Sequence, residues 1–228
     1  MAIRLVLLFA RVTVVAIAAL GAVYVTYLQP QQLRWGATDA EVAGRLPGDW
    51  IVGQAGVSAT RVVTIDAPPD QVWPWIVQMG TGRAGFYAFD WLDNGGAPSA
   101  DRVLAQFQSP QAGDVIPVPA GRRTGYVVKG FQLNHYMLWV SRSEHVTWCW
   151  LLSPLGDRRT RLVTRIRFTR VWTSPTVVGT LWREVGDAFR IRRCLLGIKA
   201  RAEALARSGR APAQRDAAPA APGRRPPS

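Results

Sequence analysis

The first 28 residues form a nearly continuous apolar stretch. Arg11 is the one charge within residues 5–28, and the 17 residues from Val12 to Leu28 carry no charge. A helix needs about 20 apolar residues to cross the hydrocarbon core of a bilayer, with a lower limit near 17. We therefore predict a transmembrane anchor over residues 1–30, in preference to a cleaved signal peptide or a buried core helix.

The charges around this stretch predict its orientation. Arg4 and Arg11 lie at its start, while Arg34 alone follows closely. Positively charged flanks stay on the cytoplasmic side. We therefore expect a single-pass cell-membrane protein whose domain is extracytoplasmic.

Polar residues follow the apolar stretch and predict a connecting segment over residues 31–60 with one short helix. Thr38 and Glu41 have the three-residue spacing of a capping box, which marks the start of a helix. The sequence Leu46-Pro47-Gly48-Asp49 ends this helix.

The next part of the chain predicts one strand and two helices. The β-branched run Arg61–Asp66 predicts the strand. The two prolines that follow fit the first turn of a helix, which Asp66 or Asp70 could cap. Residues 72–79 are apolar on almost every side, so we expect this helix to be deeply buried. Residues 86–92 predict a second, aromatic helix.

The centre of the chain alternates between apolar and polar residues in the manner of antiparallel strands. The predicted strands are Val115–Val118, Gly125–Phe131, His135–Ser141, Thr147–Leu152 and Arg161–Thr169. In the last strand Arg161, Arg165 and Arg167 share the face opposite to the apolar residues. This alternation is typical of a sheet that has one face towards water.

A long helix follows, with Ser174 as its cap and Pro175 at its first position. Its predicted apolar stripe consists of Val178, Trp182, Val185, Phe189 and Leu196. The glycines of this helix, Gly179, Gly186 and Gly197, indicate either close packing on the sheet or room for a ligand. Residues 208–228 lack apolar periodicity and predict a disordered basic tail.

The segment from Thr64 to Asn94, TIDAPPDQVWPWIVQMGTGRAGFYAFDWLDN, resembles the START-like or SRPBCC superfamily. This superfamily includes polyketide cyclases and lipid-transfer proteins, and the segment looks like its uncharacterised bacterial branch. The resemblance covers about residues 35–205. It implies an α+β helix-grip fold over residues 61–207, in which a curved antiparallel sheet surrounds the long C-terminal helix and leaves a cavity. It implies no set of catalytic residues.

The chain is strongly basic, with 28 Lys and Arg against 15 Asp and Glu and a net charge of +13. The basic residues are dispersed and no nucleic-acid-binding motif accompanies them, so we predict no nucleic-acid partner. An anionic membrane surface fits this charge better. The arginine-rich composition of a GC-rich genome is the alternative explanation.

The ten tryptophans suggest the walls of an apolar cavity, although core packing accounts for most of them equally well. Binding cavities are mostly apolar and contain a few polar groups. The predicted ligand-binding residues are Trp75, Gln78, Tyr87, Asp90, Trp91, His135, Trp148 and Trp150.

The chemistry available in the sequence favours binding over catalysis. Asp90, His135 and His145 are the candidate bases, and no GxSxG, HExxH or P-loop motif is present. Cys149 and Cys194 form no zinc-site pattern and are expected to be buried thiols or a single disulfide. We predict no metal, no cofactor and no catalytic residue.

A carrier for a hydrophobic small molecule or lipid is therefore the preferred function. A cyclase- or dehydratase-like enzyme, and an interaction domain with a filled core, are the alternatives.

Overall fold

The computed structural model describes residues 2–119, 125–169 and 177–209 of the chain. The predicted helix start at Ser174 and Pro175 and the predicted tail from residue 210 onwards lie outside these residues.

A single antiparallel sheet of six strands forms the centre of the fold, in the spatial order β1-β6-β5-β4-β3-β2. The strands are β1 (Val57–Ile65), β2 (Val115–Ile116), β3 (Tyr126–Gln132), β4 (Tyr136–Ser141), β5 (Val146–Pro154) and β6 (Thr160–Phe168). These match the strands predicted from the sequence, with shifts at their ends. Strand β1 begins four residues before the predicted start because residues 57–60 pair with residues 165–168 of β6.

The helical elements surround this sheet. They are α1 (Ala2–Val23), a π-helical turn (Tyr24–Leu28), α2 (Gln29–Leu33), α3 (Asp39–Ala43), α4 (Pro69–Val77), α5 (Asp90–Asp93), a 3-10 turn (Ala105–Phe107) and α6 (Val177–Arg207). The predicted α+β architecture, a curved antiparallel sheet with a long C-terminal helix, is therefore confirmed.

The N-terminal helix exposes large apolar side chains. Phe9, Val15 and Leu20 are 75%, 67% and 70% exposed. Across the residues that the structure describes, no helix is both long enough and apolar enough to pass through a membrane. The structure therefore does not support the transmembrane helix predicted for residues 1–30.

The start of α4 and the segment after it differ from the predictions. Pro68 is the N-cap of α4 and no side chain caps this helix, so the predicted caps Asp66 and Asp70 are wrong. The prolines at the helix start lower the demand for a cap, because a proline has no backbone N–H to satisfy. The predicted helix over residues 86–92 shortens to α5 because Tyr87 has a left-handed φ of 57°.

Helix α6 packs on the face of the sheet that we call the inner face. Its buried positions among the described side chains are Ala188, Ile191, Cys194, Leu195, Ile198 and Ala202, which follow the three- and four-residue spacing of one helix face. The stripe predicted from the large apolar residues is wrong where it is described, since Phe189 is 57% and Leu196 42% exposed. The side chains of Val178, Trp182 and Val185 lie outside the described residues.

The opposite, outer face of the sheet is covered by residues 34–53, which we call the outer-face segment. The segment contains α3, whose predicted capping box is present: Thr38 Oγ1 accepts from the Glu41 backbone N–H, and Glu41 Oε2 accepts from that of Thr38. Leu46 of the segment packs with buried apolar residues of the sheet. These are Val62, Leu138, Val140, Cys149 and Val163.

The arginines of β6 attach this segment to the sheet. Arg165 is 3% exposed, and its guanidinium donates to Thr60 Oγ1, Asp49 Oδ2 and the carbonyls of Glu41, Val42 and Gly44. The prediction that this arginine-bearing face is in water is therefore wrong. Carboxylate and carbonyl oxygens of the outer-face segment replace the water that these charges would otherwise require.

Candidate functional site

The inner face of the sheet carries a group of tryptophans from two neighbouring strands. Trp139 of β4 pairs directly with Trp148 of β5, and Trp150 follows two residues later on the same face. The ring centroids of Trp139 and Trp148 are 5.3 Å apart, and those of Trp148 and Trp150 are 4.9 Å apart. The strand alternation thus places three indoles against one another beneath the helix layer.

Other elements extend this group into what we call the inner aromatic cluster. It consists of Trp75, Phe86, Tyr126, Trp139, Trp148 and Trp150. Phe86 stacks on Trp148 at 6.3 Å, and Tyr126 meets Trp148 edge-on at 5.6 Å. Burial raises the pKa of Tyr126 to about 12, so its phenol stays protonated at neutral pH.

The indole N–H groups of the cluster differ in their hydrogen bonding. Trp148 Nε1 donates to Thr164 Oγ1 at 2.7 Å, and that hydroxyl donates to the carbonyl of Cys149. Trp75, Trp139 and Trp150 each bury Nε1 with no acceptor among the described residues. A buried donor without a partner costs about 1–3 kcal/mol, so three of them in one cluster are an unusual feature of a core.

Gln78 and Tyr87, both predicted to bind ligand, hydrogen-bond to each other. Gln78 Nε2 donates to the Tyr87 hydroxyl at 3.0 Å, and this hydroxyl donates to the carbonyl of Trp75 at 3.0 Å. The Gln78 side-chain oxygen accepts from the Leu104 backbone N–H at 2.9 Å. Burial raises the pKa of Tyr87 above its usual value. In the structure these two side chains therefore connect α4 to the loops that follow it.

Asp90 and Tyr87 line a surface pocket of about 400 Å³, which we call the α5–α6 pocket. Ser99 Oγ donates to Asp90 Oδ1 at 2.5 Å. Helix α6 supplies the facing wall, including Arg193 and Arg201. Sequence reasoning identified Asp90 and Tyr87 but gave no role to these two arginines, because nothing in the sequence shows which part of α6 faces α5.

A second pocket, of about 880 Å³, lies against the outer-face segment. Arg45, Trp50 and Tyr136 are among its lining residues, together with the buried Arg165. This pocket was not predicted, since the sequence gave no indication that the segment folds over the sheet.

Two predicted ligand residues lie away from the inner face. Trp91, in α5, is 74% exposed. His135 is exposed in the turn before β4, and not on a strand as predicted, because β4 begins at Tyr136. Trp75, Trp148 and Trp150 come together in the inner aromatic cluster, as expected for residues that share an interior.

The two cysteines lie on opposite faces of the sheet, and both are free and buried. Burial raises the pKa of the Cys149 thiol to about 12 and that of Cys194 above its usual value. The two-thiol interpretation is therefore the right one. No group of three or more His, Cys, Asp or Glu side chains in the described ranges is arranged to hold a metal ion.

No protein-family model matches the chain, and no curated protein matches it. Several solved structures are similar. A polyketide cyclase-like protein from Corynebacterium glutamicum has 15% identity and a TM-score of 0.45, and the match covers 67% of this chain and 94% of that one. The ZhuI aromatase/cyclase from Streptomyces has 15% identity and a TM-score of 0.43, with 67% and 97% covered. A conserved protein of unknown function from Enterococcus faecalis has 10% identity and a TM-score of 0.41, with 74% and 86% covered.

These likenesses are too distant to bear on ligand or activity.

Proposed function

We propose that the chain binds a hydrophobic small molecule between the inner face of the sheet and α6. The observation that carries this proposal is the set of three buried indole N–H groups, on Trp75, Trp139 and Trp150, that have no acceptor. A flat apolar molecule with a carbonyl or hydroxyl oxygen supplies both the apolar contact and the missing acceptor. Binding requires the rings of the cluster to separate, and the new hydrogen bonds offset part of that cost.

A pair of probes of equal size tests this proposal. Acetylnaphthalene and ethylnaphthalene differ mainly in the carbonyl acceptor, and both are titrated into the full chain in polymer nanodiscs, with empty nanodiscs as the background. We expect saturable quenching of tryptophan fluorescence and about tenfold tighter binding of the ketone, which corresponds to about 1.4 kcal/mol.

The matched variants are Trp150→Phe and Trp50→Phe. Trp150 is fully buried in the cluster, whereas Trp50 is 73% exposed on the outer-face segment. The preference for the ketone should disappear in Trp150→Phe, Trp75→Phe or Trp139→Phe, whichever removes the indole that donates to the ketone, and persist in Trp50→Phe. Equal affinity for the two probes in the unaltered chain, or no saturable binding, would exclude the proposal.

A filled domain that binds no small molecule is the second candidate. The centroid distances of 4.9–5.7 Å between the three strand tryptophans favour it, because such rings already occupy one another's contact surface. The absence of saturable probe binding is the result that this candidate predicts.

The enzymatic alternative has less support. A cyclase- or dehydratase-like reaction needs an acid or base in a dry site. Among the candidate bases, Asp90 lies in the surface pocket, while His135 and His145 are exposed in turns. The described residues thus offer none of these groups to the inner aromatic cluster.

Membrane attachment through residues 1–30, with the domain on the extracytoplasmic side, remains part of the proposal. Its support is the exposed apolar surface of α1, which carries Phe9, Val15 and Leu20 and no acidic residue. Introducing Val15→Asp with Leu20→Asp should move the protein from washed membranes to the supernatant, because an aspartate in a bilayer costs about 2.5–3.5 kcal/mol. Leu133→Asp, at a position 66% exposed in the β3–β4 turn, is the control and should leave the protein in the membrane fraction.

The side of the membrane is tested with Leu133→Cys. Both native thiols are buried, so the new cysteine is the reactive one. A membrane-impermeant maleimide should label it on intact cells. Labelling only after lysis would reverse the proposed orientation.

A further inference from the structure

Two arginines of α6 are held in the same way, eight residues apart. Arg193 Nε donates to the carbonyl of Ala88 at 3.0 Å, and its guanidinium lies 5.0 Å from the ring centroid of Phe89. Arg201 Nε donates to the carbonyl of Ala100 at 2.7 Å, and its guanidinium lies 4.6 Å from the ring centroid of Tyr87. Each side chain is therefore fixed at its inner nitrogen and stacked on an aromatic ring.

The outer nitrogens of both guanidiniums retain donors. Arg201 Nη1 donates to the carbonyl of Gly197 at 3.2 Å. Within the described residues, Arg201 Nη2 and both terminal nitrogens of Arg193 have no protein acceptor. Both side chains line the α5–α6 pocket, so these donors border one shared space.

Asp90 adds one negatively charged acceptor to the wall of this pocket. Its Oδ1 accepts from Ser99 Oγ at 2.5 Å, and Ser99 Oγ accepts from the Tyr87 backbone N–H at 3.1 Å. The carboxylate is thereby held in position while its second oxygen has no partner among the described groups. Two guanidiniums and one carboxylate leave the pocket with a net positive charge.

We propose that the α5–α6 pocket binds a phosphate monoester whose neighbouring hydroxyl donates to Asp90. Guanidinium groups with paired terminal donors match phosphate geometry, and their fixed orientation reduces the entropy lost on binding. A volume of about 400 Å³ lies near the lower end of ligand pockets, which suits a phosphorylated small molecule or one lipid headgroup without its acyl chains. This site goes beyond the proposed hydrophobic binding and uses different polar groups; Tyr87, which lines the pocket and meets Trp75 edge-on at 6.0 Å, lies between the two.

Isothermal titration of the full chain in phosphatidylcholine nanodiscs tests the site, with glycerol phosphate as the probe at constant ionic strength. The fixed ionic strength separates binding from general charge screening. We expect saturable binding that weakens about tenfold in Arg193→Ala and in Arg201→Ala, the loss typical of one charged hydrogen-bonded contact. Arg192→Ala is the matched control, because Arg192 is on the same helix but lies over the ring of Trp35.

A gain of affinity provides a test that does not depend on the stability of the arginine variants. Asp90→Asn keeps an acceptor for Ser99, replaces the free oxygen by an amide N–H that donates to the ligand hydroxyl or phosphate, and removes the negative charge, so the probe should bind about two- to fivefold more tightly. Weakening in Arg192→Ala equal to that in Arg193→Ala would overturn the proposal, because it would indicate a diffuse charge effect. Weaker binding in Asp90→Asn would overturn it as well.

The two sources of the phosphate group are distinguished with vesicles. Glycerol phosphate binding that depends on Arg193 assigns a soluble ligand. Binding only to phosphatidylcholine vesicles that contain lysophosphatidic acid, whose glycerol keeps a free hydroxyl, again dependent on Arg193, assigns a lipid headgroup. Failure of both probes excludes the site. The naphthalene probes, measured on the same variants, report on the inner aromatic cluster independently.

Discussion

Arg165 of β6 and Asp49 of the outer-face segment form an ion pair that is largely removed from solvent. Arg165 Nη1 lies 2.7 Å from Asp49 Oδ2, and the two side chains are 3% and 16% exposed. The two residues are far apart in the chain, so this ion pair forms only when the outer-face segment is folded onto the sheet.

We expect Arg165→Met to lower the free energy of unfolding by about 3 kcal/mol, because three carbonyls lose their donor and Asp49 keeps only the Leu46 backbone N–H and the more distant Arg167. Methionine keeps much of the volume, which separates the loss of charge from a loss of packing. Urea unfolding of the full chain, followed by tryptophan fluorescence, measures the change. Arg142→Met, in the exposed turn after β4, is the control and should stay within about 0.5 kcal/mol of the unaltered protein.

The second contact of the outer-face segment predicts acid sensitivity. Arg161 hydrogen-bonds both oxygens of Glu41, at 2.7 and 2.9 Å, and this bonding lowers the pKa of Glu41 from 4.5 to about 2. A carboxyl whose pKa is depressed on folding stabilises the folded state above its unfolded pKa. That contribution is lost as the pH falls through the folded value.

The protein should therefore lose about 1–2 kcal/mol of stability from Glu41 between pH 4.5 and about 2, since solvent around this partly exposed pair screens the interaction. Urea unfolding at a series of pH values gives the slope, and Glu41→Gln should be less stable at pH 7 but show a shallower decline over this interval. Parallel curves for the two proteins would contradict the assignment.

Two glycines of α6, Gly197 and Gly186, should respond to substitution by alanine with opposite changes in stability. A Cβ on Gly197 would lie 2.3 Å from the carbonyl oxygen of Tyr87, whereas a Cβ on Gly186 would meet none of the described atoms within 4 Å. Gly197→Ala should therefore destabilise the protein by about 1–3 kcal/mol through overpacking. Gly186→Ala should stabilise it by up to about 1 kcal/mol, since alanine is the better helix former. Melting temperatures measured in one buffer should be lower than that of the unaltered protein for Gly197→Ala and higher for Gly186→Ala.

This contrast also answers the question that the sequence left open about these glycines. At Gly197 the helix backbone approaches the Tyr87 loop closely, so the glycine serves packing there. At Gly186 no close neighbour in the described part of the chain requires a glycine.

The strands were predictable because their alternation is local and each strand spans several residues. The register of α6 was not, because two of its six described buried positions are alanines and one is a cysteine, while Phe189 and Leu196 point outwards. A pattern based on the largest apolar residues therefore selected the wrong face. The outer face was misjudged for a different reason: alternation in β6 reveals two faces but not that residues 34–53 cover one of them.

The candidate site was also predictable only in part from the sequence. Trp75, Trp148 and Trp150 were recognised as interior residues by their type and their place in apolar elements. Gln78 and Tyr87 were recognised as polar groups in an apolar region. That pattern does not reveal that the two side chains hydrogen-bond to each other. The arginines of the α5–α6 pocket were missed because their positions depend on how α6 packs.

Tyr87→Phe tests the structural role of the predicted ligand residue directly. The substitution removes a hydroxyl that donates to the carbonyl of Trp75 and accepts from Gln78 Nε2, while the ring remains beneath Arg201. Leaving those buried groups with fewer partners should lower the free energy of unfolding by about 1–3 kcal/mol. Tyr27→Phe, at a position 68% exposed, removes the same atom from a side chain that the fold does not bury and should change stability by less than about 0.5 kcal/mol. Equal effects of the two substitutions in urea unfolding would mean that the Gln78–Tyr87–Trp75 hydrogen bonds contribute nothing to the fold.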